Sequence, residues 1–186
     1  VFRLVTNRRQ GAGSLIAENA LRINRGEMKL SFGDDFQFID CPSSIEVREN
    51  LKEVVEDITK RYSDPLRDFQ LLTPQKKTNI GVEALNEVLR YVQNPRATVN
   101  QKWCVGDKVM QIYNNYKLDV FNGFQGVIRS IRRDAMEIDF FDGAVIDYPR
   151  EEEDGLMQSF ACTIHKYQGS ECKSGVLIIS STHTFM

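Results

Sequence analysis

The chain has no C-x-x-C pair: Cys41, Cys104, Cys162 and Cys172 stand far apart. That spacing argues against a zinc site, and scattered thiols suit a reducing cytosol better than a disulfide framework. The reading is therefore a cytoplasmic protein with no metal site of its own. No run approaches the roughly 18 apolar residues of a membrane span, so no membrane partner is expected. The phosphate-binding pattern G-x-x-x-x-G-K-S/T is also missing. QGAGSL places Gly11 and Gly13 before a candidate helix but lacks the lysine, and its plain reading is a loop. Histidine is confined to His165 and His183, neither framed by a nucleophile motif, which speaks against a stand-alone hydrolase. Basic excess is absent too: 24 Lys and Arg against 26 Asp and Glu give a net charge of -2 and a pI near 5.8. Any nucleic-acid contact must then come from local patches. The chain opens on VFRLV without methionine, and the expectation is a piece of something longer.

What is present fits a globular fold, with 41% hydrophobic and 27% charged residues over 186 positions. SLIAENALRINR, 14 to 25, reads as a helix starting at Ser14, and FQFID, 36 to 40, alternates like a strand. Ser43 and Glu46 stand in capping-box relation, ahead of Val47, Leu51, Val54, Val55 and Ile58 at helical spacing. FQLLTP, 69 to 74, reads as a strand, followed after a polar loop by a helix carrying Val82, Leu85, Leu89 and Val92. Strand, loop and helix make the unit of a parallel α/β sheet.

From about Gln101 the texture changes. Short segments rich in β-branched and aromatic residues, punctuated by Asn122-Gly123 and Asp142-Gly143, describe a small β-barrel of five or so strands. The run Glu151 to Gly155 reads as a solvated linker. Arg129, Arg132 and Arg133 form a basic patch, and Tyr113, Tyr116, Phe121 and Phe124 offer faces on which bases stack. Since small barrels spend most aromatics on their core, one or two at most are expected outside, and Trp103 reads as a packing anchor. The topology expected is one α/β domain, residues 1–100 and 155–186, interrupted by a barrel at 101–154.

The stretch TIHKYQGSE, 163 to 171, gathers Thr163, His165, Lys166, Gln168, Ser170 and Glu171 around Gly169, just before the apolar run GVLIIS. It resembles motif V of superfamily 1 DNA helicases of the RecD-like group, the exodeoxyribonuclease V alpha subunit and its relatives, whose pattern is close to T-I-H-K-S-Q-G-S-E. The resemblance extends along the chain. Arg9-Gln10 match the arginine-glutamine pair of motif IV; Thr73-Pro74 and Gly81, Leu85, Asn86 match a T-P loop and a G-x-x-x-L-N helix. Gly106, Asp107, Lys108, Val109, Asn114, Asn115, Tyr116, Asn122, Gly123 and Gly126 match the start of an inserted barrel. Arg8 stands where the family usually has an aromatic residue, Tyr167 replaces a common serine, and Cys172 replaces an aromatic.

The resemblance implies a RecA-like parallel-sheet second motor domain, interrupted by an SH3-like insert, from an ATP-dependent helicase acting in DNA repair and recombination. ATP and Mg²⁺ would serve the intact protein mainly through a first motor domain, and the isolated chain is expected to be inactive. Arg9 takes the part of an arginine finger on the γ-phosphate, with a surface ion pair as its plain alternative. Gln10, Gly169 and Glu171 fall on the nucleotide side. Thr163, His165, Gln168, Lys76, Lys77, Arg129 and Arg132 fall on the DNA side, in contacts that position a strand without reading its sequence; His165 also reads as a structural histidine, and the two lysines as solvated. Asn86 reads as a structural hydrogen bonder. Single-stranded and duplex DNA, and other exodeoxyribonuclease V subunits, are the partners implied. A nucleotide-independent interaction module built on the barrel is the alternative.

Overall fold

The computed structural model describes residues 13–181 and 183. The chain divides after Cys41 into two units. In the first, helix α1, Leu15–Asn24, forms where the sequence places it, and buried Asn19 ties it to Ser31 through Nδ2 to the carbonyl (2.7 Å) and through Oδ1 from the amide (2.9 Å). The strand expected over 36–40 does not form. Phe36 makes one bridge with Gly33, and Phe38 is 70% exposed. Alternation alone makes no strand; its amides need a partner, and among the described residues the segment has only that bridge.

The second unit begins with helix α2, Ser44–Arg61. Ser43 Oγ accepts the Glu46 amide (3.2 Å) and donates to Glu46 Oε1 (3.0 Å), so the capping residues act on each other as well as on the backbone. One-turn helix α3, Pro65–Asp68, leads into strand β1, Phe69–Thr73, and helix α4, Val82–Gln93, follows after the polar loop. Leu51, Val55 and Ile58 of α2 and Leu85 and Leu89 of α4 close over Phe69 and Leu71 in one buried cluster.

Strands β2, Lys108–Gln111, β3, Gln125–Ile131, β4, Ala135–Phe140, and β5, Val145–Pro149, come next, then a 3-10 turn, Arg150–Gly155, and strand β6, Leu156–Gln158. They form one antiparallel sheet in the order β5-β4-β3-β2-β6 around a core of Trp103, Val109, Ile128, Ile138, Phe140 and Tyr148. Trp103 is the anchor the sequence suggested. The acidic run is a 3-10 turn with partners: Glu153 pairs with Lys102 (3.0 Å) and Arg150 (3.0 Å). Asp142-Gly143 closes the β4–β5 hairpin, with Gly143 at φ +122°, whereas Asn122-Gly123 ends a long connection between β2 and β3. The fifth strand lies past residue 154, so the small sheet runs on to Gln158 before the chain turns back.

Strand β7, Ala161–Thr163, short helix α5, Ile164–Tyr167, and strand β8, Ser174–Leu177, complete the unit. β1 lies between β7 and β8, parallel to both, with Leu71 opposite Ala161 and Thr73 opposite Thr163. Asn86 fastens the return. Its Oδ1 accepts the Ala161 amide (2.8 Å) and its Nδ2 donates to the Ala161 and Gln158 carbonyls (3.0 and 3.2 Å). No described helix is long and apolar enough to cross a membrane.

Candidate nucleic-acid interface

Because β1 and β7 are parallel and in register, the loops leaving Thr73 and Thr163 emerge at the same edge of the sheet. Carboxyl edges of open parallel sheets are where such folds place ligands. The loop after β1 carries Lys76 and Lys77, both exposed, and is tightly fixed. Thr73 Oγ1 donates to the Ile80 carbonyl (3.0 Å), the Val82 and Glu83 amides donate to the Gln75 and Lys76 carbonyls, and Arg48 of α2 donates twice to the Asn79 carbonyl (3.0 and 2.7 Å). A Cβ at Gly81 would lie 2.5 Å from the Lys76 carbonyl oxygen, so glycine is what lets this loop close on the start of α4.

The loop after β7 is the stretch from 163 to 171. Thr163 is buried, and its hydroxyl oxygen accepts the Lys166 amide (3.2 Å) as the cap of α5. His165, Gln168, Gly169 and Glu171 are exposed. Gly169 sits at φ +96°, with nothing within 4 Å of where a Cβ would stand. Conformation, not crowding, requires glycine there. Tyr167 and Cys172, two of the three departures from the helicase pattern, turn inward together: they join Met110, Cys162, Leu72 and Met157 in a small cluster, and burial pushes the Tyr167 hydroxyl well above its ordinary range. Burial likewise pushes the Cys162 thiol up to about 12, which leaves it no nucleophile at neutral pH.

Lys166 is the residue the sequence reading passed over. Its pKa is lowered, first by partial burial and then by the positive charge of Lys76. No ion pair of Lys76, Lys77 or Lys166 is present among the described residues. Lys76 and Lys166 stand on the two loops that leave β1 and β7 at the same edge of the sheet. The name T-I-H-K carried Lys166 in plain view; only the fold shows its neighbour.

Arg129 and Arg132 are placed differently. Arg129 of β3 donates to Asp139 of β4 (Nε to Oδ2 3.1 Å), and Arg132, just past β3, pairs with Asp147 of β5. Both pairs are partly exposed, so both arginines already hold a carboxylate before any strand arrives. Arg9 and Gln10 lie outside the described residues. Among the described residues no cluster of His, Cys, Asp and Glu has the make-up to hold a metal ion.

The two sheets are joined by buried polar groups. Arg90 of α4 grips Asp107 with two hydrogen bonds (3.0 and 2.7 Å), and Asn94 Nδ2 donates to the same carboxylate (2.8 Å). Burial works against the Arg90 charge, but the hydrogen bond and charge of Asp107 overcome it and raise its pKa. Lys108 Nζ, fully buried, donates to the Phe69 carbonyl and Gln70 Oε1 (both 2.9 Å), and Gln125 Nε2 donates to the same Gln70 oxygen (2.9 Å).

The SH3 domain of ATP-dependent RecD-like DNA helicases matches residues 85–140, from within α4 to the end of β4. The ATP-dependent RecD2 DNA helicase of Deinococcus radiodurans is 28% identical over 155 residues, which is 77% of this chain and 22% of that protein. The RecBCD enzyme subunit RecD of Buchnera aphidicola subsp. Schizaphis graminum is 27% identical over 141 residues, 71% of this chain and again 22% of the relative. The chain thus spans about a fifth of the length of the curated relatives it matches. Among solved structures, Bacteroides Pif1 bound to single-stranded DNA aligns with a TM-score of 0.46 at 16% identity, covering 90% of this chain and 49% of that one.

Proposed function

For a chain similar to the RecD-like superfamily 1 DNA helicases and carrying the SH3 domain of that group, we propose the role of second motor domain in an ATP-dependent DNA helicase. On this reading residues 1–100 and the chain from 159 onward belong to the motor, and the barrel from 101 to Gln158 is its insert. The observation that carries the proposal is that Lys76 and Lys166 stand on the adjacent loops leaving the carboxyl edge of β1 and β7. Phosphates of a single strand suit that pair, with Lys77, His165 and Gln168 beside it, and such contacts hold a backbone whatever its sequence. Gly169 and Glu171 follow on the same loop and face the nucleotide, so one segment touches strand and ATP and makes grip depend on the state of the nucleotide. As the resemblance implies, ATP and Mg²⁺ belong chiefly to a first motor domain, to which Arg9 and Gln10 would be presented on closure. Translocation along single strands would open duplex DNA, and the RecD name of one relative makes assembly with exodeoxyribonuclease V subunits a further expectation.

Two variants of the longer protein separate the two sides of this loop. Arg9→Ala should lower DNA-stimulated ATP turnover by about 10³-fold or more, with nucleotide-free DNA affinity unchanged. Lys76→Ala with Lys166→Ala should instead weaken nucleotide-free binding to single strands. Steady-state ATPase assays and oligonucleotide titrations, with thermal melting as the control for folding, read both. Wild-type strand affinity in the folded lysine variant would remove the proposed interface, and wild-type turnover in Arg9→Ala would remove the finger.

A further inference from the structure

The connection between β2 and β3, residues 112–124, is built around an exposed tyrosine. Tyr116 is 77% exposed, the most open of the barrel's aromatic residues, while Phe121 and Phe124 are half-buried behind it. Its ring meets Phe121 edge-to-face (6.1 Å, 78°), and Phe121 meets Phe124 in the same way (5.5 Å, 73°). Phe124 in turn packs on the barrel core.

The loop is held in one shape. Asn115 and Val120 exchange two backbone hydrogen bonds (2.7 and 3.1 Å), Asn115 Oδ1 accepts the Lys117 and Leu118 amides (3.1 and 3.3 Å), and Asn114 Oδ1 accepts the Asn122 amide (3.0 Å). Val120 is buried and Leu118 packs on the barrel core. Tyr116 is therefore presented by a scaffold already folded, and ordering it costs little on binding.

The same end of the molecule carries Lys76 and Lys166. β2 starts at Lys108, which touches Phe69 and Gln70 at the beginning of β1, and by Met110 it packs with Leu72, Cys162 and Tyr167. It runs from the amino edge of the parallel sheet toward the carboxyl edge, so the loop that follows Gln111 leaves on the side of the strand-binding loops.

We propose that Tyr116 is a stacking platform for one base of the single strand whose phosphates Lys76 and Lys166 hold; this rests on the helicase reading above. An open ring among exposed Asn114, Lys117, Asp119 and Asn122, with the less exposed Tyr113 as the other exposed aromatic of the connection, suits a planar base with polar edges, and not an apolar peptide face. Lys117 and Asp119 are the only charged residues in the loop and cancel. Stacking here is consequently independent of salt, unlike the lysine contacts.

The test uses the longer protein, fluorescent oligothymidylate, and the same strand with its bases replaced by abasic sites. Tyr116→Ala should bind oligothymidylate about five- to a hundred-fold more weakly, by the same factor at every salt concentration, while Tyr116→Trp keeps the affinity. On the abasic strand, wild type and Tyr116→Ala should bind alike. A strand carrying 5-bromouracil should cross-link to Tyr116 under ultraviolet light, a readout that needs no variant. Equal affinity of Tyr116→Ala and wild type for oligothymidylate, an equal loss on the abasic strand, or cross-links only elsewhere would overturn the platform. Wild-type protein that binds no single strand would instead sink the helicase reading, and the platform with it.

Discussion

Lys108, fully buried between the two sheets, makes no ion pair among the described residues, and burial lowers its pKa from 10.5 to about 8. A base whose folded value lies below its unfolded one is protonated more in the unfolded chain across the interval between them. Stability then rises with pH from about 8 to about 10.5 as far as this residue is concerned. Cys162 and Tyr148, both pushed up to about 12 by burial, act oppositely in the alkaline range, since the unfolded chain loses those protons first. The comparison that isolates Lys108 is wild type against Lys108→Met. Urea unfolding at pH about 7 and about 10 should show the difference in stability moving toward wild type as pH rises; a difference that stays flat would show that Lys108 is not titrating in this window. Nothing in the sequence marked Lys108 as buried, because a lysine beside Val109 and Met110 in an alternating strand reads as the outward residue. It points inward here because Gln70 and the Phe69 carbonyl, far away in the chain, supply its acceptors. Asn86 and Trp103 were legible by contrast, each lying in a stretch whose neighbours already implied burial.

At the scale of elements, the joint between α4 and β2 rests on a buried ion pair with every partner in place. Asp107 receives Arg90, Asn94 Nδ2 and the Cys104 amide (2.8 Å), and Gly106 before it, at φ +92°, leaves no room for a side chain beside Asn94. Removing one member leaves the other charge buried alone. Asp107→Ala should cost about 3–5 kcal/mol, more than the roughly 0–1 kcal/mol expected of an exposed pair such as Arg132 with Asp147. Denaturant midpoints for Asp107→Ala and Asp147→Ala measure the contrast; equal shifts would mean that the joint is no more than a surface contact. The elements themselves were largely readable, because a capping pair such as Ser43 and Glu46 and the apolar rows of α2 and α4 act over a few residues. FQFID failed for the complementary reason. Its pattern is right for a strand, but pairing is supplied by other chain segments, and among the described residues it has one bridge. The 112–124 connection was misjudged as hairpin punctuation at Asn122-Gly123, where a folded loop uses the glycine, at φ +93°, only for its last turn.

Over the whole molecule, 26 acidic residues outnumber 24 basic ones, so the long-range field does not draw a polyanion. Whatever salt-dependent affinity the chain has for a single strand must come from a few cations placed against phosphates. Each phosphate neutralised on a single strand adds about 0.7 to the slope of log affinity against log salt. With Lys76, Lys77 and Lys166 in contact the slope should be about -2, and non-specific affinity about 10⁻⁴ M or weaker at physiological salt. Lys76→Ala with Lys166→Ala should reduce the slope by about 1.4, which is two contacts' worth. Arg129 gives the opposing case. Since it already faces Asp139, removing both as Arg129→Ala with Asp139→Ala should leave slope and affinity where they were. Titrating a labelled oligonucleotide at four or so salt concentrations decides between the two sites. A slope that drops only in the arginine variant would move the phosphate contacts to the barrel and leave Lys76 and Lys166 as solvated charges, whereas a steep slope lost only with the lysines would fix the strand at the carboxyl edge of β1 and β7.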